Sequence, residues 1–271
     1  MLCCEVIDAI TLLALIICGL AGGFINTVAA SGATVVVPSM IGLGLEAGVA
    51  NGTSRLAAVA GLATATWRFH QAGAIPWLLT LKATVPMVAG AIAGSLFATS
   101  LSDQWITLAI AGSLLFVLVC LITQPTRLLQ QEQPNAEESE TQLGPLFYLL
   151  MTATGFWAGF IALGSGVMTL LVLVLAGGIP LKTANILKCF VRLSSSLVAL
   201  LIFGLRGEIN WLWALPLALS GMAGAHLGAK LALGEGATQL IFRALIAVVG
   251  LEVLSFLWRL GLPQNLMGAL A

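Results

Sequence analysis

Apolar residues run in long blocks along this chain, near 8–29, 49–69, 75–98, 103–122, 145–163, 181–204, 210–232 and 236–258. Each block approaches the roughly 20 residues that a helix needs to cross a hydrocarbon layer about 30 Å thick, so each predicts a membrane-spanning helix. Two further apolar stretches, 33–44 and 166–178, are too short to cross and predict half-length helices. Between the fourth and fifth blocks the pattern stops. Residues 124–144 are polar and cluster Glu132, Glu137, Glu138 and Glu140, which predicts a solvated acidic linker between a first transmembrane repeat, 1–123, and a second, 145–271.

The two parts match each other at a constant offset of 134 residues. Ser31-Gly32 falls on Ser165-Gly166, Gly44 on Gly178, Ala50-Asn51 on Ala184-Asn185, and Gly73, Ile75 and Trp77 on Gly207, Ile209 and Trp211. Gly90 and Gly94 fall on Gly224 and Gly228, at a small-xxx-small spacing that also suits close helix packing. One register held without a gap over this length marks a structural duplication. Each half reads as a helix, a break at Ser-Gly, a half-helix and three full spans. Residues 8–44 are too many for one crossing, so the chain turns back at the break and returns to its starting side. Three net crossings then remain per half, and an odd number places the second half upside down. The expected fold class is therefore all-α integral membrane, with two inverted repeats, about eight full spans and two half-helices.

Composition agrees. Of 271 residues 59% are hydrophobic and 8% charged, against roughly 25% charged in soluble domains, so the expected solvent is lipid and the expected location a multi-pass place in the cell (inner) membrane. Eleven basic and eleven acidic residues cancel, which leaves no field to recruit nucleic acid. The start MLCCEVID lacks the positive region of a cleaved signal and reads as a retained first helix. Short-loop cations divide as Arg68, Arg127, Lys182 and Lys230 on one side and Arg206 and Arg259 on the other, which places the linker in the cytoplasm. Cys3, Cys4, Cys18, Cys120 and Cys189 show no paired spacing, so neither a disulfide framework nor a metal site is expected.

The chemistry should sit where helices break, because unpaired backbone groups at membrane depth are tolerated only around a cavity. At AASGAT (29–34) and LGSGVM (163–168) glycine allows the turn and serine can cap the half-helix that follows. The starts of the half-helices offer free N–H groups and partial positive charge, which suit an anion. After each half-helix comes a span with polar and cationic groups, VANGTSRLAAVAG and TANILKCFVRLSSS. A charge at the centre of a span costs about 2.5 to 3.5 kcal/mol, so such groups face a partner or a pathway. The candidate substrate-binding residues are Ser31, Gly32, Asn51, Thr53, Ser54, Arg55, Ser165, Gly166, Asn185, Lys188 and Arg192. Glu252 and His226, deep in their spans, are candidates for proton coupling.

The run GGFINTVAASGATVVVPSMIGLGLEAGVANGTSRLAAVAG (22–61), followed by Gly73 and Trp77, resembles the TauE/SafE family of sulfite exporters. Pro38, Gly44, Ala50, Thr53 and Ser54 stand at the places of that family's first module, and Gly164-Ser165-Gly166, Gly178, Ala184, Gly207 and Trp211 repeat the pattern. In the second half Val172 replaces Pro38, and Leu187-Lys188 replaces Thr53-Ser54. The resemblance implies transport of sulfite, an organosulfonate or a related small oxyanion.

The expected function is secondary transport of a small anion by alternating access, with no catalytic residue and no cofactor. The expected partners are the anion, the bilayer, a coupling ion (proton or sodium) and, as an option, a second copy of the chain as a homodimer. No nucleotide-binding motif is present to support an ATP-driven pump. Two other classes stay open: a thiol or electron-transfer protein using Cys120 or Cys189 with Cys3 or Cys4, and a membrane assembly factor that transports nothing.

Overall fold

In lipid the backbone has no water to bond its N–H and C=O groups, so apolar blocks satisfy them internally as helices. The computed structural model, which describes residues 7–28, 32–110, 112, 143–234, 236–241 and 243–244, contains helices and no strand among those residues. The helices are α1 (Ala9–Val28), α2 (Ala33–Gly42), α3 (Ala47–Gln71), α4 (Trp77–Ala98), α5 (Pro145–Phe160), α6 (Ser165–Leu171), α7 (Leu181–Leu205) and α8 (Trp211–Leu233). Residues 103–110, 112, 237–241 and 243–244 are also helical, and most of the rest of those two blocks lies outside the described residues, as does nearly all of the linker.

Among the described residues four helices, α1, α4, α7 and α8, are long and apolar enough to cross a membrane. α3 has the same 25 residues as α7. Its polar load of Asn51, Thr53, Ser54, Arg55 and Arg68 lowers its apolar content. α5 ends at Phe160, short of the expected 163, because Ile161 turns extended at φ −132° and Gly164 takes the left-handed φ of 70°.

Both expected half-helices are present, and each is interrupted at the same register. α2 carries Pro38 in its interior, and α6 widens at Val172 into a π-turn, Val172–Ala176. Proline removes one helical hydrogen bond and a π-turn re-registers several, so each short helix has a built-in weak point.

The polarity of the molecule is inside out. Leu78, Val85, Leu205 and Leu219 are largely exposed, whereas Asn51, Arg55, Asn185, Lys188 and Arg192 are buried. An apolar exterior around a polar interior fits lipid as the solvent.

Glycines set the helix pairing. A Cβ on Gly90 or Gly94 of α4 would collide with the backbone of α5 at Thr152 and Phe156, and one on Gly224 of α8 would collide with α1 at Leu20. Gly228 lies against Thr27 and Phe24 of α1. α4 thus packs on α5 and α8 on α1, each pair joining a helix that precedes the linker to one that follows it. α3 packs on both α8 and α7, and α4 on both α5 and α7, which brings α3 and α7 together in the interior.

Candidate functional site

The interior site grows from the buried faces of α3 and α7. On α3, residues 51, 54, 55 and 58 follow helical spacing and share one face. Asn51 donates from Nδ2 to the Phe160 carbonyl at 2.9 Å and accepts at Oδ1 from the Ala162 N–H at 3.1 Å. Arg55 donates from Nη1 to the Ala158 carbonyl at 2.5 Å, and from Nη2 to the Gly159 carbonyl at 3.0 Å and Asn51 Oδ1 at 3.2 Å. Ser95 of α4 adds a bond from its hydroxyl to the Gly159 carbonyl at 3.2 Å. The last carbonyls of a helix have no partner within it and carry the negative end of its dipole. Here a cation, an amide and a hydroxyl from two other helices satisfy them, and the Phe203 ring lies 5.3 Å from the Arg55 guanidinium carbon.

The first half shows the reciprocal arrangement in part. Asn185 of α7 donates from Nδ2 to the Thr27 carbonyl near the end of α1, at 3.0 Å. Each of the matched asparagines therefore holds the broken helix of the other half. At the offset that relates Asn51 to Asn185, Arg55 falls on Cys189, whose thiol bonds the Asn185 carbonyl at 3.4 Å.

The break residues divide. Gly32 sits so close to Gly22 that a Cβ on either would meet the other segment, which folds the start of α2 back along α1. Ser165 was expected to cap α6. Its hydroxyl instead donates backwards to the Ala162 carbonyl at 2.5 Å, and the capping position is Gly164, which has no side chain to offer. Gly166 is buried beside Ser165. Ser31 and Glu252 lie outside the described residues.

Ser54 bonds the Asn51 carbonyl at 2.7 Å and lines a cavity of about 20 Å³ with Gly22, Asn26, Gly32, Ala57 and Ala58. A space of this size holds about one water. Thr53 accepts from the Asn210 N–H at 3.0 Å and so ties α3 to the start of α8. His226 is exposed on α8, apart from the buried polar face.

On α7, Asn185, Lys188, Cys189, Arg192, Ser195 and Ser196 are all buried. Arg192 Nε and Nη1, Asn185 Oδ1 and the Ser196 hydroxyl have no hydrogen-bond partner. The charge of Arg192 interacts with those of both Arg55 and Lys188. The four acidic residues described do not answer these cations: Asp8, Glu46 and Asp103 are exposed, and Glu208 is half-buried in the turn between α7 and α8. Among the described residues no group of three His, Cys, Asp or Glu side chains could hold a metal.

Sequence reasoning missed Ser95, Ser196 and Asn26. Ser196 had a readable signal, one helical turn after Arg192 within the LSSS run.

Burial pushes the Glu208 carboxyl above the usual range, against a smaller opposing effect of Arg206. A raised folded-state value means that ionisation costs stability, increasingly as pH rises through that value, and nothing at pH well below the unfolded one. Glu208→Gln should therefore raise the melting temperature in detergent at pH 7–8, with the gain vanishing below about pH 4, where the unfolded carboxyl is also protonated. A gain independent of pH would assign the effect to packing.

A family model described as sulfite exporter TauE/SafE matches residues 15–253. A probable membrane transporter protein of Haemophilus influenzae is 27% identical over 243 residues, 89% of this chain and 92% of that protein. The probable membrane transporter protein ORF9 of a Sinorhizobium species is 25% identical, over 85% of this chain and 86% of its own. The probable membrane transporter protein YfcA of Escherichia coli K12 is 25% identical, over 84% and 82%. No solved structure matches the chain.

Proposed function

The chain belongs to the sulfite exporter TauE/SafE family and is a multi-pass membrane transporter, and from this we propose that it is a secondary carrier of a small anion. The class of cargo is sulfite, organosulfonates and related oxyanions, and the mechanism is alternating access at the interface of two inverted repeats in the inner membrane. The observation that carries the reading is the set of three buried cations, Arg55, Lys188 and Arg192, with no buried carboxylate among the described residues. Like charges gathered in a medium of low dielectric repel strongly; the end of α5 answers Arg55, and an anion would relieve the charge of Arg192.

The other support is geometric. α4 packs on α5 and α8 on α1, Asn51 and Asn185 make equivalent bonds across the halves, and Gly44/Gly178 and Gly73/Gly207 adopt positive φ at matching positions. These are what two inverted repeats would produce. The cavity of about 20 Å³ beside Ser54 and Gly32 is too small for an oxyanion. Cargo therefore enters after a movement, for which the weak points at Pro38 and Val172 are suited. Ser165, Gly166, Gly32 and Asn185 belong to the proposed lining, and the drive is an ion gradient, proton or sodium, or the membrane potential.

A thermal-shift screen of the purified protein against sulfite, thiosulfate, organosulfonates and carboxylates tests this reading. A ligand at 100 times its Kd adds about 2.7 kcal/mol of stability. At least one oxyanion should raise the melting temperature of wild type and not of Lys188→Gln. If no anion shifts it while cations do, the reading falls.

The proposed orientation places Glu137 and the rest of the linker in the cytoplasm. A cysteine introduced at Ser139 should stay unlabelled by an impermeant maleimide in intact cells and react after permeabilisation. Labelling in intact cells would reverse the orientation.

A further inference from the structure

The three buried cations differ in what surrounds them, and the difference separates scaffold from cargo site. Arg55 is tied to the Ala158 and Gly159 carbonyls and to Asn51, with only Nε unpartnered. Its charge already faces the negative end of α5. A guanidinium so engaged would have to abandon a helix terminus to bind an anion, leaving buried carbonyls without donors.

Arg192 is otherwise. It is 2% exposed, yet Nε and Nη1 have no partner. One turn further along the same face, the Ser196 hydroxyl is 1% exposed and also without a partner. Buried donors left unused are costly, and a native interior retains them where something else completes their bonding. The guanidinium and the hydroxyl are donors separated by four residues on a helix, a spacing that puts side chains side by side.

We infer that Arg192 and Ser196 form the subsite that holds the transported oxyanion, and that Arg55 is a positioning residue that fixes the end of α5. The inference rests on the anion-carrier reading and says which cation touches the cargo. Arg192 supplies charge and directional N–H groups. Ser196 supplies a donor that an oxygen of sulfite or a sulfonate can accept, and its removal changes recognition without changing charge.

Initial rates of labelled sulfite uptake into proteoliposomes, measured against concentration, test the assignment. Arg192→Gln should raise KM at least about tenfold, with Arg192→Lys in between, and Ser196→Ala should raise KM about two- to tenfold at unchanged Vmax, as the loss of charged and neutral hydrogen bonds predicts. Arg55→Lys should keep KM within about twofold and lower the melting temperature or Vmax, as befits a group that acts on the helix end. If Arg192→Gln does not fold, Arg192→Lys and Ser196→Ala decide. Unchanged KM in the Arg192 and Ser196 variants, or a tenfold rise in Arg55→Lys, overturns the assignment. Wild type that moves no sulfite, thiosulfate or organosulfonate contradicts the carrier reading beneath it.

Discussion

Arg55→Ala should destabilise the protein by about 3–5 kcal/mol, because it leaves a buried acceptor without its donor and empties the space of a large, fully buried side chain. The guanidinium bonds the Ala158 and Gly159 carbonyls and braces Asn51, so its loss removes the donor from Ala158 and one of two donors from Gly159 at the end of α5. Each buried acceptor left without a donor costs about 1–3 kcal/mol. The Phe160 carbonyl would keep its bond from Asn51, and Gly159 the one from Ser95, so the helix end should loosen rather than dissolve. Arg55→Lys should recover part of the loss, since a cation remains near the helix dipole but cannot bridge two carbonyls with a planar fork. The readout is the melting temperature in detergent. An Arg55→Ala protein within about 0.5 kcal/mol of wild type, the range of ordinary surface changes, would mean that water satisfies these carbonyls as well as the guanidinium does.

Gly94→Leu is expected to be nearly as damaging, at or above the roughly 3 kcal/mol upper range of overpacking. The obstacle is backbone: a Cβ at Gly94 would collide with the Phe156 carbonyl and approach the Phe160 N–H, and neither can rotate away. Separating α4 from α5 by even an ångström would forfeit contacts along the whole crossing. Gly42→Ala serves as the control, because no atom lies within 4 Å of a Cβ built there. Purified Gly94→Leu should give little monodisperse protein, whereas Gly42→Ala should resemble wild type. Equal yields would show that the α4–α5 crossing is looser than its geometry indicates.

Much of the architecture is readable in the residues, because hydrophobic length and glycine position act locally. The helix at 181–204 appears as α7 within a residue at each end, and the break before Ser165 follows from the glycines around it. Helix pairing is another matter. The spacing of Gly224 and Gly228 says that α8 approaches another helix closely, but nothing local says that the other is α1. The role of Arg55 is hidden for the same reason. In the sequence Arg55 and Arg192 differ only in depth, Arg192 lying further into its apolar run than Arg55. What separates them is the end of α5, which lies about a hundred residues from Arg55. Pro38 announces a defect in α2, yet the π-turn at the matching Val172 has no comparable residue signal. Asn51 and Asn185 were legible as a pair because they recur at one offset, although their partners were not.

The central claim is that the buried cations serve a moving anion. Labelled sulfite flux into liposomes bearing the purified wild-type protein, with a membrane potential imposed by a potassium gradient and valinomycin, tests it most directly. Saturable uptake that thiosulfate or an organosulfonate competes for, and that falls by at least about tenfold at low substrate in Arg192→Gln, is the expected result. Uptake no greater than in empty liposomes across that panel of anions, from protein that remains folded and monodisperse, would contradict the claim.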